Sequence, residues 1–146
     1  MLAVSSDAWR VHREEWQELA VTRLAEAESL LLAGHWSGAY YLCGYAVECG
    51  IKSRLATQFK AETTPNRAFV NDIHVHDLAK LVRLADLHSS LLAESATHPG
   101  FEVAWSVAKD WNESSRYRVW EESEARDMVR SIADEHGVFE WVKKQW

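Results

Sequence analysis

The sequence predicts an all-α protein, an antiparallel up-and-down bundle of four to five helices, on three observations. Apolar residues recur at spacings of three and four along most of the chain. The segment from Trp36 to Val47 carries no formal charge, which places one helix at the buried centre. No stretch alternates apolar and polar residues as a half-buried strand does, and no repeat or low-complexity tract breaks the pattern. At 146 residues the chain suits one domain, residues 1–146, that buries roughly 68–70% of its unfolded surface.

Ser6 or Asp7 can cap a first helix that runs to about Ala33, with Gly34 as the residue that ends it. Trp9, Trp16, Leu19, Ala20, Leu24, Ala27, Leu30 and Leu31 form its buried stripe, and alternating charges cover the opposite side. The short link His35-Trp36 makes helices one and two antiparallel neighbours. Helix two, Ser37 to Phe59, is apolar nearly all round. Its small residues Ala39, Cys43, Ala46 and Gly50 permit close approach of other helices. Each of Gly38, Gly44 and Gly50 costs roughly 1 kcal/mol of helix propensity against alanine. Packing must offset that cost.

Ala61 to Asp72, with Pro65, Asn66 and Asn71, has no clean period and reads as a loop. A third helix is predicted from His76-Asp77, with Leu78, Leu81, Val82, Ala85, His88 and Leu92 inward. His98-Pro99-Gly100 breaks the chain before a fourth helix carrying Phe101, Ala104, Trp105, Ala108 and Trp111. The pattern lapses in NESSRYRVW. A fifth helix starts near Glu121, its acidic first turn suiting a positive N-terminus, with Ala125, Met128, Val129, Ile132 and Ala133 inward. Gly137 is predicted to end it, and VFEWVKKQW to pack back as a final turn.

The net charge of −6 favours solubility and argues against a large nucleic-acid footprint. Residues 29–47 are uncharged, but Gly34, His35 and Ser37 divide them into a helix stop and a new start, so no membrane span is predicted. MLAVSSDAWR lacks the pattern of a signal peptide. Cys43 and Cys49 lie six residues apart on one helix, about 9 Å along its axis and beyond disulfide reach. Reduced thiols fit a cytoplasmic protein.

One charge interrupts the apolar helix: Glu48, with Lys52 one turn later. A buried carboxylate needs a partner or a wet cleft. The richest candidate partners lie in Trp111 to Trp120, where Arg116 and Arg118 are interleaved with aromatic rings. Guanidiniums beside rings can grip a phosphate and stack a base, or one arginine can pair inward with Glu48 and lock the turn to the core. A contact from Glu48 to Arg116 or Arg118 is therefore expected. His74-x-His76 offers two nitrogen ligands where zinc sites need three or four, so no metal or other cofactor is predicted. His12, His35, His88, His98 and His136 are scattered. Eight tryptophans, Trp141 and Trp146 among them, exceed what one small bundle covers, which predicts a homodimer or another partner.

AEAESLLLAGHWSGAYYLCGYAVECGIKSRL, HVHDLAKLV and KDWNESSRYR, in that order, resemble the HEPN family (higher eukaryotes and prokaryotes nucleotide-binding domain). The resemblance spans about Ala25 to Trp146. It implies a bundle of four or five helices, commonly a homodimer, with a cleft between helices two, three and the last. Some members are metal-independent ribonucleases, often toxins or antiphage effectors, that use an arginine followed after four to six residues by a histidine. Others bind nucleotides or RNA without cutting, frequently beside a small nucleotidyltransferase partner. Arg116 matches the arginine, but Glu121, Glu122 and Ser123 stand where the histidine belongs, and Arg118 is followed by Ser123, Glu124 and Ala125. A glutamate there repels the scissile phosphate.

The resemblance with that departure implies a non-catalytic module of toxin–antitoxin or defence type. Glu48, Lys52, His76, Arg116, Tyr117 and Arg118 would line its ligand-binding cleft. The alternative is a divergent ribonuclease in which Arg116 works with His76.

Overall fold

A computed structural model describes residues 11–59, 64 and 66–146. These are helical throughout, with no strand among them. The predicted cap at Ser6 or Asp7 and the inward Trp9 lie outside the described residues. Helix α1 is described over Arg13–Leu32, and Gly34 turns the chain at φ 81°, a conformation that glycine reaches without strain. Helix α2 then runs Trp36–Ala56.

Contacts at both ends of the α1–α2 pair establish its antiparallel course. Gln17 Nε2 donates to Ser53 Oγ at 3.2 Å near one end, and Leu30 packs on Gly38 at the other. Helix α2 is the axis of the molecule, with Tyr40, Val47, Ile51 and Leu55 among its twelve buried residues. Its glycines seat neighbouring side chains against bare backbone. A Cβ on Gly44 would stand 2.2 Å from the Trp111 ring, and one on Gly50 would stand 2.6 Å from Val142. The Trp111 indole also donates to the Tyr41 carbonyl at 3.1 Å. Close packing thus offsets the low helix propensity of glycine.

The five predicted helices become eight, for three local reasons. Within the expected loop, Arg67–Asp72 forms helix α3, because the Asn66 side chain accepts from the Ala68 and Phe69 N–H groups. Six residues are too few to show a period. The predicted third helix is two helices, α4 at Leu78–Leu84 and α5 at His88–Thr97. Asp77 caps α4 as expected, its side chain accepting from Lys80 N–H. Asp86, at φ 58°, breaks the run and turns the following residues to a new register. Leu91 is therefore buried, whereas Leu92 and His88 are exposed, contrary to the single-helix expectation.

Helix α6 is Pro99–Ala108, followed by a 3-10 turn at Glu113–Tyr117 and helix α7 at Glu122–Ala133. The fourth- and fifth-helix stripes face inward as predicted, with Phe101, Ala104, Ala108, Ala125, Met128, Val129 and Ile132 buried. Helix α7 ends at Ala133, before Gly137, which instead opens helix α8 at Val138–Lys143. A Cβ on Gly137 would lie 2.7 Å from the Ile132 carbonyl, so this tight reversal needs glycine.

Helix α8 folds back onto α2. It buries Trp141 against Phe101 and Trp105, and the Trp141 indole donates to Ser90 Oγ at 3.1 Å. Trp146 is half-buried, edge-on to Phe139. The surplus tryptophan surface from which a homodimer was predicted is thus taken up within the chain.

Candidate functional site

Glu48 lies on α2 with a side-chain exposure of 1%. Leaving such a carboxylate unpaired would cost several kcal/mol, roughly, so its partners define the site. They are His76 and Lys52. His76 Nδ1 stands 2.7 Å from Glu48 Oε1, and Lys52 Nζ stands 3.4 Å from Oε2. The expected contact with Arg116 or Arg118 is not made; the answering cations come from the next turn of α2 and from the segment before α4. Lys52 gets there because i and i+4 share one helix face, and its ammonium also lies 5.6 Å from the Trp16 ring on α1. His76 gets there because it immediately precedes Asp77, whose cap fixes the start of α4.

The second face of the histidine meets another carboxylate. Glu113 Oε2 stands 3.2 Å from His76 Nε2, so the ring bridges two acids. Both contacts are hydrogen bonds when both ring nitrogens carry a proton, which is the imidazolium form. Glu113 is the functional neighbour that reading the sequence missed. Its only signal was an acidic residue at the start of NESSR, one 3-10 turn ahead of Arg116.

The turn itself is well anchored. Asn112 and Ser115 form a reciprocal capping box, Trp111 is buried, and the Trp120 indole donates to the Ser115 carbonyl at 2.9 Å. Trp120 stacks on Tyr40 with centroids 3.5 Å apart, and its backbone N–H donates to Ser37 Oγ. Arg118 belongs to this anchor. Its guanidinium lies 3.9 Å from the Trp120 ring centroid and pairs with Glu124 of α7 at 3.0 Å. One arginine of the pair therefore fastens the turn, as expected, but to α7 instead of Glu48.

Arg116 is exposed and leans over the Tyr117 ring at 4.8 Å. Hydrogen bonding to the Tyr117 and then the Tyr41 hydroxyl raises its pKa above the ordinary arginine value. Tyr117 is 78% exposed, an aromatic face open to solvent. Tyr41 and Tyr45, one turn apart on α2 and stacked, continue the aromatic row towards Glu48.

Of the six residues predicted from sequence, Glu48, Lys52 and His76 thus form one bonded cluster. Arg116 and Tyr117 project from the adjoining turn, and Arg118 turns away. Among the described residues, no three His, Cys, Asp or Glu side chains are placed to hold a metal ion, and no helix is long and apolar enough to cross a membrane. In comparison with known proteins, no family model, curated protein or solved structure matches this chain.

Proposed function

We propose that this chain is a non-catalytic helical domain of the HEPN type that binds a nucleotide or RNA and serves a toxin–antitoxin or defence-type module. Docking on a small nucleotidyltransferase and homodimer formation belong to the same reading, through the exposed Tyr117 and Val119 on the turn. The observation that carries it is the pairing of Arg116 with the open ring of Tyr117 on an anchored turn beside His76. A guanidinium supplies a phosphate contact and the ring a stacking platform; base stacking is worth about 1–3 kcal/mol.

The non-catalytic part rests on His76. A general acid or base needs a ring nitrogen within reach of substrate, and both of its nitrogens face carboxylates. The test is calorimetric titration of wild type and Arg116→Ala with a nucleoside triphosphate and a short single-stranded RNA. Binding is expected to weaken about tenfold or more in the variant and to fall with added salt. No binding at millimolar ligand, or binding indifferent to Arg116, overturns the proposal.

One observation favours the ribonuclease alternative: Glu113 touches His76 and shares a turn with Arg116, so both groups which that mechanism needs lie at one site. A metal-free RNA-cleavage assay decides between the two. Intact RNA is expected, and cleavage abolished by Arg116→Ala and by His76→Ala separately would replace the binding reading.

A further inference from the structure

We infer that the Glu113 carboxylate occupies the place of a ligand phosphate on His76, so that the site is held closed by its own side chain until a phosphate-bearing ligand displaces it. This rests on the binding reading above and adds its regulation. The two contacts to His76 are unequal. The Glu48 contact is short, at 2.7 Å, and comes from a rigid, buried helix position. The Glu113 contact is longer, at 3.2 Å, and comes from a side chain that is 51% exposed. Exposed ion pairs contribute little and exchange readily with solvent or solutes, whereas the buried contact fixes the ring.

Carboxylate and phosphate present the same feature to a ring N–H, an anionic oxygen. A phosphate oxygen can therefore replace Glu113 Oε2 while Nδ1 stays on Glu48. The 3-10 geometry adds a second donor. Three residues make one turn, so Glu113 and Arg116 project from the same edge, and Arg116 is not paired with a carboxylate among the described residues. With Glu113 withdrawn, Glu48 is the one carboxylate left to face Lys52, His76 and Arg116. The cluster then attracts an anion that it repels while Glu113 is seated.

The test titrates the full chain with inorganic pyrophosphate at fixed ionic strength, comparing wild type, Glu113→Gln and Glu113→Gln/His76→Gln. Glu113→Gln is expected to bind about fivefold more tightly, the gain from removing one like charge at contact distance in a watery medium. Adding His76→Gln is expected to erase that gain. Glu113→Ala gives the same reading without an amide that could itself bond to His76, and circular dichroism checks that each variant is folded. Unchanged or weaker affinity in both Glu113 variants, a gain that survives loss of His76, or no pyrophosphate binding by any variant overturns the inference. RNA or nucleotide binding that depends on Arg116, with no gain in the Glu113 variants, removes this inference alone. A gain with pyrophosphate while no variant binds nucleotide or RNA removes the functional reading and leaves a self-occupied anion site.

Discussion

Glu48 shows how one side chain can decide the arrangement around it. Its carboxylate is buried among apolar neighbours, and each oxygen has a single cationic partner, Lys52 or His76. Replacing Glu48 by glutamine keeps the volume and removes the charge. Lys52, itself only 12% exposed, then loses its counter-charge. Breaking a buried pair from one side costs about 3–5 kcal/mol, so Glu48→Gln is expected to lower the urea midpoint by that amount of stability. The double change Glu48→Leu/Lys52→Met removes both charges and is expected to recover most of the loss. Equal destabilisation by the single and double variants would show that the packing of this position matters and its charge does not. The same residue also holds the His76 ring in place, so it acts on the ligand site through histidine orientation.

At the scale of the element, α2 carries the fold because its glycines sit under the rings and side chains of other elements. Gly44 lies beneath Trp111, and the residue cannot grow without moving an indole that is itself hydrogen-bonded to the Tyr41 carbonyl. Alanine has the better helix propensity by roughly 1 kcal/mol, so on propensity alone Gly44→Ala would stabilise. The steric overlap has the opposite sign, and overpacking a filled core costs about 1–3 kcal/mol. The overlap should win. Net destabilisation by chemical denaturation, with a change in tryptophan fluorescence as Trp111 shifts, is the expected outcome. A more stable Gly44→Ala protein would mean that the indole is not seated on this backbone. The 3-10 turn works by the same economy, since Trp111 and Trp120 at its two ends hold five residues that bury only Ser115.

At the scale of the whole molecule, burial of ionisable groups ties stability to pH on the alkaline side. Burial, ahead of the Glu48 charge, pushes the Cys49 thiol from its ordinary 9 up to about 12. Burial likewise raises Tyr40 and Tyr45 from 10 to about 12. Each folded-state value lies above the unfolded one, so the fold favours the neutral, protonated form. That contribution is complete below about pH 9, the ordinary thiol value, and is lost as pH rises towards 12. Urea midpoints are therefore expected to fall between pH 9 and pH 12, and native tyrosinate absorbance to lag behind that of the unfolded chain. Both thiols are buried and free, so a thiol reagent at pH 8 should react slowly with native protein and at once in urea. Rapid native reaction would place Cys43 or Cys49 outside the core.

The sequence by itself determined the all-helical class, the buried central helix, the Gly34 turn, the Asp77 cap and the importance of Glu48. Each of these depends on residue type and local spacing, which the chain displays directly. The division of the third helix at Asp86 stayed hidden, because an aspartate in the left-handed region carries no mark that a glycine would. So did the fate of Trp141, whose burial depends on where α8 lands across α2. Only the tertiary structure decided which cation answers Glu48. Lys52 and the distant arginines were equally admissible as charges, and the choice fell to reach: a partner one turn away and a histidine fixed beside the α4 cap arrive before a turn fastened to α7 by Arg118 and Glu124. Long-range ion pairing follows from the path of the backbone, which no local pattern records.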